Sequence, residues 1–206
     1  MAADYQGLEL TTESAAAEEG YSNAVRGYMG YRTDVGGHLK AALTADAEMP
    51  MALITRGYFF HLFSIPALER KAADSAQAAQ AAIAGRGATQ REKWHLAALQ
   101  AWNVGDMSGA TDWWEQILLH HPHDVMAIRL SHFTHFYLHG GGAMRQSINR
   151  ILPAWGEDRP DFGLFSVCRR LPTKRPAITA RRRRPGGGRW RSTQRIFGPP
   201  MPSPMF

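Results

Sequence analysis

The stretch TQREKWHLAALQAWNVGDMSGATDWWEQILLHHPHD, residues 89–124, contains the clearest local structure signals of the chain. Thr89 is followed three residues later by Glu92, which is the spacing of a capping box at the start of a helix. Gly105 then interrupts the apolar periodicity, and Pro122 ends the second apolar segment. The stretch therefore predicts two helices joined by a tight turn.

Small and bulky residues occur along these two helices in the arrangement that a closely packed helix pair requires. A tetratricopeptide-type unit has about 34 residues, small side chains where its helices touch, and a proline at its end. Alanine lets two helix axes approach, while a bulky neighbour fills the groove beside them. Residues 91–124 match this frame at the structural repeat positions Trp94, Ala98, Ala110, Trp114 and Pro122.

The remaining body predicts further helices with looser spacing. Glycines at positions 36–37 and 140–142 predict breaks between them. We expect an all-α fold in which two to four antiparallel helix pairs stack as a TPR-like right-handed superhelix. The additional predicted helices cover residues 11 or 12 to 29, 38–45, 51–64, 67–83, 125–138 and 143–152.

A series of motifs runs in a fixed order from position 89 to position 155. The motifs are Thr89-Gln-Arg-Glu-Lys-Trp-His95, Trp113-Trp-Glu-Gln-Ile-Leu118, His121-Pro122 with Asp124, Leu130-Ser-His132, Phe136-Tyr-Leu138 and Ile151-Leu-Pro with Trp155. Together they resemble the tetratricopeptide repeat protein 38-like family, over roughly residues 8–162. The resemblance implies an all-α superhelical repeat protein without an assigned catalytic reaction, in a family whose intact members are longer than this chain.

The net charge of +6 combines two oppositely charged regions. Residues 1–163 carry 13 Lys/Arg against 18 Asp/Glu, which gives a net charge of −5. Residues 164–206 carry 11 Lys/Arg and no acidic residue. We therefore expect a helical repeat domain over residues 1–163 and a basic, Arg/Pro/Gly-rich, disordered tail over residues 164–206.

The tail is interpreted as the product of a shifted reading frame. Shifted by one base, its codons permit another Ala/Glu-rich repeat with a Gly-Asp-Tyr turn and a proline at the separation that joins Gly105 to Pro122. We expect a one-base insertion or deletion near codons 161–164, which makes the chain a truncated family member. The alternative is an RNA- or phosphate-binding segment that acts through residues 181–184, all arginine, although nucleic acid is not the partner we expect.

Composition excludes several other classes of protein. The single cysteine, Cys168, excludes an intramolecular disulfide and a CxxC-type zinc site. No run of about 18 apolar residues predicts a membrane span, and the acidic N-terminus does not resemble a signal peptide. A soluble, cytoplasmic protein is therefore expected.

Three histidines raise the possibility of a metal site. His132, His135 and His139 share one helix face at i, i+3 and i+7. Because no carboxylate stands near them in the sequence, we interpret them as groove or core residues and expect neither a metal nor a cofactor. No nucleophile, phosphate-loop or dinucleotide motif is present, so enzymatic activity is not expected.

The predicted function is a scaffold that binds a peptide or protein partner through the concave groove of its repeats. Trp113 is expected to reach the wall of this groove because Trp114 takes the inward position, and His132 and Tyr137 complete the candidate partner-binding set. A repeat stack that is cut short exposes an apolar face, so self-association through the C-terminal repeat is also expected. The further alternative is a remnant of a longer protein whose active or metal site lies in missing repeats.

Overall fold

Helices form most of residues 2–170, the part of the chain that the computed structural model describes. A short antiparallel hairpin, in which β1 (Ala2–Ala3) pairs with β2 (Glu9–Leu10), precedes them. The predicted disorder of the tail beyond position 170, and its arginines at 181–184, lie outside the described residues. The helices are α1 (Ala15–Met29), α2 (Val35–Ala45), α3 (Pro50–Leu62), α4 (Pro66–Arg86), α5 (Gln90–Asn103), α6 (Met107–His120), α7 (Val125–Thr134), α8 (Gly140–Ile151) and α9 (Phe162–Arg170).

Side-chain caps explain where the central helices begin. Thr89 Oγ1 accepts a hydrogen bond from the Glu92 amide, and the Glu92 carboxylate accepts one from the Thr89 amide, which confirms the predicted capping box. Asp106 caps α6 after Gly105, whose φ of +79° forms the predicted tight turn. Asp124 caps α7 through the amide of Ala127.

Consecutive helices pack as pairs, α1 with α2, α3 with α4 and α5 with α6, and this confirms the all-α prediction. Small residues let the axes approach. A Cβ atom added at Gly20 would lie 2.8 Å from the backbone nitrogen of Ala42, so glycine is required where α1 meets α2. Ala98 and Ala110 are completely buried in the α5–α6 pair, as the repeat frame predicts.

Two predicted helix starts are wrong. Ser14, rather than Thr11 or Thr12, caps α1, because the two threonine hydroxyls donate to distant carboxylates instead. The glycines at 36–37 do not precede α2 but lie inside it, since α2 begins at Val35.

The predicted helix over residues 125–138 is also shorter than expected. α7 ends at Thr134 and continues as a π-helical segment, His135–His139. Gly140, with a φ of +77°, ends that segment and α8 starts there, so the three glycines form the first turn of α8 rather than a separate loop. A π-helical turn changes the direction of the side chains that follow it, and such turns are frequent at functional sites.

The body extends past the boundary predicted at residue 163. α9 crosses that position, and its Phe165 ring stacks on Trp155 with a centroid distance of 4.5 Å and an interplanar angle of 4°. Cys168 is buried beside them. Residues 164–170 therefore belong to the packed helical body, because their apolar spacing outweighs the basic composition on which the predicted boundary rests.

The N-terminal segment connects helices that are far apart in the chain. Tyr5 Oη donates a hydrogen bond of 2.6 Å to Asp161, and Gln6 Nε2 donates one of 2.8 Å to the same carboxylate. Thr11 donates to Glu92 at the start of α5. The two ends of the described region are thus in direct contact. Among residues 2–170, no helix combines the length and apolar character needed to cross a membrane.

Candidate functional site

A network of polar side chains is completely buried where the helix pairs meet. Asp124 Oδ2 accepts hydrogen bonds of 2.8 Å from Arg91 Nη1 and 3.0 Å from His95 Nε2. On the other side of the imidazole, His95 Nδ1 lies 3.1 Å from Tyr58 Oη, which also accepts a hydrogen bond from Trp114 Nε1. Side chains of α3, α5, α6 and the α7 N-cap are therefore joined in one network.

The charges in this network stabilise one another. Burial alone would raise the pKa of the Asp124 carboxyl, but the attraction of the His95 ring and of Arg91 holds it well below its usual range. Burial also opposes the charge on Arg91, yet the adjacent Asp124 raises the pKa of its guanidinium. Asp4 Oδ2 lies 3.7 Å from Arg91, and burial raises the pKa of this second carboxyl. Arg91 and Asp124 thus form the central ion pair.

In this network a histidine lies between a carboxylate and a hydroxyl, but the Tyr58 hydroxyl donates its hydrogen to the backbone oxygen of His95 at 2.7 Å rather than to the ring. His95 and Tyr58 are also 0% exposed, so a substrate has no access to either in this structure. Arg91 Nη2 also donates to the backbone oxygen of Glu9, which fixes the N-terminal hairpin. The network therefore positions the helices and is not a candidate reaction centre.

An apolar cleft opens between α2 and α3, beside the end of α1. Its volume is about 780 Å³, which falls within the range of small-molecule sites. We call it the α2–α3 cleft and define it by the lining residues Tyr28, Leu39, Leu43, Phe59, Phe60 and Phe63.

The charged residues that line the α2–α3 cleft are all basic. They are Arg32, Lys40 and Arg56. Arg32 forms an ion pair with Asp34, whereas neither Lys40 nor Arg56 forms one with any carboxylate in residues 2–170. Arg56 is partly buried, its Nε donates to Ser75, and burial lowers its pKa. The cleft thus combines aromatic and aliphatic walls with uncompensated positive charge.

A second exposed apolar surface lies at the transition from α7 to the π-helical segment. Phe133, Phe136 and Tyr137 are 36%, 61% and 78% exposed, and the Phe136 and Tyr137 rings contact each other edge to face at 5.1 Å. Arg129 lies over the Phe133 ring at 4.6 Å. We call Phe133, Phe136 and Tyr137 the aromatic ridge.

A polar cluster holds the base of this ridge. Glu115 of α6 accepts hydrogen bonds from Ser131, from Ser147 at 2.6 Å and from Arg150 at 3.0 Å. The Nε2 atom of His135 lies 3.1 Å from the same carboxylate. Burial opposes ionisation of Glu115, but these bonds lower its pKa. The cluster therefore fixes α7, the π-helical segment and α8 against α6.

The three predicted partner-binding residues lie in different environments. Tyr137 is on the aromatic ridge, and Trp113 is 38% exposed on α6. Two helical positions correspond to about 200°, so Trp113 projects away from the side of α6 on which Glu115 meets α7 and α8. His132 is only 5% exposed, and both of its ring nitrogens lack a hydrogen-bond partner among the described residues. A surface partner therefore has access to Trp113 and Tyr137 but not to His132.

The positions of the repeat frame lie inside or at the edge of the helix pairs. Trp114 is completely buried, while Trp94 and Pro122 are partly buried. Trp94 packs against His120 at a centroid distance of 4.9 Å, and the Pro122 oxygen accepts a hydrogen bond from Trp155.

The histidine face predicted from the sequence is not assembled as a metal site. The Nδ1 atoms of His135 and His139 lie 3.1 Å apart, but no group of three His, Cys, Asp or Glu residues within positions 2–170 has the arrangement of metal ligands.

The α2–α3 cleft was not predicted from the sequence, because its walls come from helices whose apolar residues also fit an ordinary core pattern. The three phenylalanines in and just after α3 were a usable signal, since Phe59 and Phe60 are only partly buried and Phe63 is exposed. The chain matches no known protein-family model, and it matches no solved structure.

Proposed function

We propose that this protein is a helical-repeat scaffold that binds a protein partner and does not catalyse a reaction. The observation that carries the proposal is the aromatic ridge, on which three neighbouring aromatic side chains are exposed to solvent. Contiguous exposed apolar surface is costly in water and is typical of sites that another protein covers. Tyrosine and phenylalanine anchors supply large contact area at low cost in side-chain entropy.

Rigid support adds to this argument. The Glu115 cluster ties the helical elements at the base of the ridge to α6, so the ridge is held in place before a partner binds. A preorganised surface loses less conformational entropy on binding than a flexible one. Trp113 is a second accessible aromatic residue on a separate side of α6, and we keep it as a weaker candidate contact.

We further propose that the helix pairs are tetratricopeptide-like repeats in a superhelical stack, and that the chain is a relative of the tetratricopeptide repeat protein 38-like family. The capping box at Thr89, the buried Ala98 and Ala110, and the buried Trp114 support this assignment. Arrays of helix pairs present extended surfaces to other proteins, which agrees with a scaffold role.

Site-specific photo-crosslinking tests the proposed partner surface. A benzoylphenylalanine introduced in place of Tyr137 is expected to capture a defined protein in cells that express the full chain. The matched control replaces Val104, which is 80% exposed in the turn between α5 and α6 and lies outside the ridge. Phe136→Ser is expected to abolish the crosslink from position 137 without changing the circular dichroism spectrum.

Three results would contradict the scaffold proposal. The first is the same background pattern from positions 137 and 104. The second is a crosslink that survives Phe136→Ser, and the third is a capture that depends on residues 171–206 and falls steeply with salt. The last result would assign partner binding to the basic tail and favour a nucleic-acid function. A crosslink that forms only between copies of this chain would indicate self-association through the ridge instead of binding to a different protein.

A further inference from the structure

The α2–α3 cleft is an elongated depression with apolar walls. Along α2, the lining residues run from Val35 to Thr44, a distance of about 14 Å at the helical rise. The opposite wall comes from α3 and its C-cap residue, between Arg56 and Phe63. Leu39 and Leu43 of α2 stand one helical turn apart, so the α2 wall is a continuous aliphatic strip.

The guanidinium of Arg56, which lines this cleft, has no carboxylate partner within residues 2–170. The Nε atom of Arg56 donates to Ser75 at 3.1 Å, and Ser75 in turn donates to the backbone oxygen of Lys71. These bonds hold the guanidinium against α4, while its two Nη atoms make no hydrogen bond within residues 2–170. A partly buried arginine in such a position is suited to a planar anion, because its Nη atoms can donate two parallel hydrogen bonds.

We propose that the α2–α3 cleft binds a small apolar carboxylic acid, with its hydrocarbon part along Leu39, Leu43 and Phe60 and its carboxylate on Arg56. The cleft supplies a complementary group for each part of such a molecule. Lys40, which is exposed on the opposite wall, adds a second positive charge near the same opening. This site is separate from the aromatic ridge, so the inference does not rest on the proposed partner binding.

The dimensions favour a small molecule over a protein segment. The volume of about 780 Å³ accommodates an extended alkyl carboxylate, and ligand sites of this size bury most of the ligand surface. A protein interface, by contrast, covers about 800 Å² on each partner and has a polar rim. The charged lining of the cleft is basic only.

Isothermal titration calorimetry of the purified full chain with dodecanoate tests this assignment. Dodecanoate is expected to bind one per chain, and at least about tenfold more tightly than methyl dodecanoate, because the ester cannot form the charge-assisted bonds to Arg56. Arg56→Gln is expected to abolish this preference for the acid while leaving ester binding unchanged.

Two further variants separate the roles of charge and shape. Arg70→Gln removes an exposed arginine of α4 that does not line the cleft, and is expected to retain the full preference. Phe60→Ala is expected to weaken binding of the acid and of the ester alike, with circular dichroism verifying that the variant folds.

The assignment is overturned if wild-type protein binds neither compound, binds both equally, or keeps its preference in Arg56→Gln. A designed amphipathic peptide that carries a glutamate tests the alternative that the cleft binds a protein segment. If this peptide binds in an Arg56-dependent way and dodecanoate does not, the cleft is a protein-docking site instead.

Discussion

The substitution Asp124→Asn tests whether the buried ion pair holds the helix pairs together. Asparagine has nearly the same shape as aspartate and is an equally good N-cap, so the bond that starts α7 is retained. The negative charge opposite Arg91 and His95 is lost. The amide NH2 group of asparagine takes the place of Oδ2, so the perturbation removes the charge and the acceptor of both hydrogen bonds while it leaves the local helix start intact.

The expected loss in free energy of unfolding is about 3 kcal/mol. Removing one partner of a buried ion pair costs about 3–5 kcal/mol, because the other charge remains buried without compensation. Asp4 lies 3.7 Å from Arg91 but compensates little, because burial disfavours its charge, so the expected loss does not fall below this range. For urea slopes of about 1–3 kcal/mol/M, the unfolding midpoint falls by about 1–3 M.

Urea unfolding followed by tryptophan fluorescence measures this change, since Trp114 is hydrogen-bonded to the network. The matched control is Asp106→Asn, because Asp106 caps α6 by the same type of bond but lies exposed and outside the network. The control is expected to change stability by less than about 0.5 kcal/mol. Equal losses in the two variants, or a loss below about 1 kcal/mol at position 124, would refute the role of the buried charge.

The same substitution has a predicted pH dependence. The pKa of Asp124 is lower in the folded protein than its ordinary value of 3.8. A lowered carboxyl pKa contributes stability that is fully present above the unfolded pKa and is lost as pH falls towards the folded pKa. The free energy of unfolding of the wild-type protein is therefore expected to decrease as the pH is lowered below about 4. Asp124→Asn is expected to lack this part of the decrease.

Three other substitutions test separate features. Asp4→Asn is expected to cost less than about 1 kcal/mol in urea unfolding at neutral pH, because burial already raises the pKa of this carboxyl and disfavours its charge. Trp155→Ala removes the indole that stacks on α9 and is expected to lower stability by about 3–5 kcal/mol by calorimetry. Gly57→Ala places a Cβ atom 2.5 Å from Leu99 and should cost about 1–3 kcal/mol, whereas Gly85→Ala, which meets open space in α4, should cost nothing.

Local signals in the sequence were sufficient for the central helix pair. The capping box joins Thr89 to a residue three positions away, and Gly105 adopts the turn conformation that its lack of a side chain permits. Such features depend on few neighbouring residues, so composition and spacing predict them. The predicted start of α1 was wrong because it depends on a distant residue: the Thr11 hydroxyl donates a hydrogen bond to Glu92, 81 positions away.

The buried network and the cleft depend on tertiary packing, which the sequence did not predict. Arg91 and Asp124 are 33 residues apart, and nothing in either local context indicates that they form an ion pair inside the protein. In the sequence, Arg56 is a charged residue that interrupts an apolar helix. That it lies in a cleft without a counter-ion is seen only in the three-dimensional structure. His132 was predicted to contact a partner from its position on a helix face, but that position did not indicate that the side chain is buried.

The location of the buried network bears on where a partner can bind. In an open stack of helix pairs, the first helices of successive pairs line an inner groove that is free for a peptide. Here Tyr58 of α3 and His95 of α5 meet the α7 cap in the buried interior, and Tyr21 of α1 is buried close to Arg91. Because the side chains between these helices are buried, a partner is expected to bind on the exposed aromatic ridge, and stability and binding should respond to different substitutions.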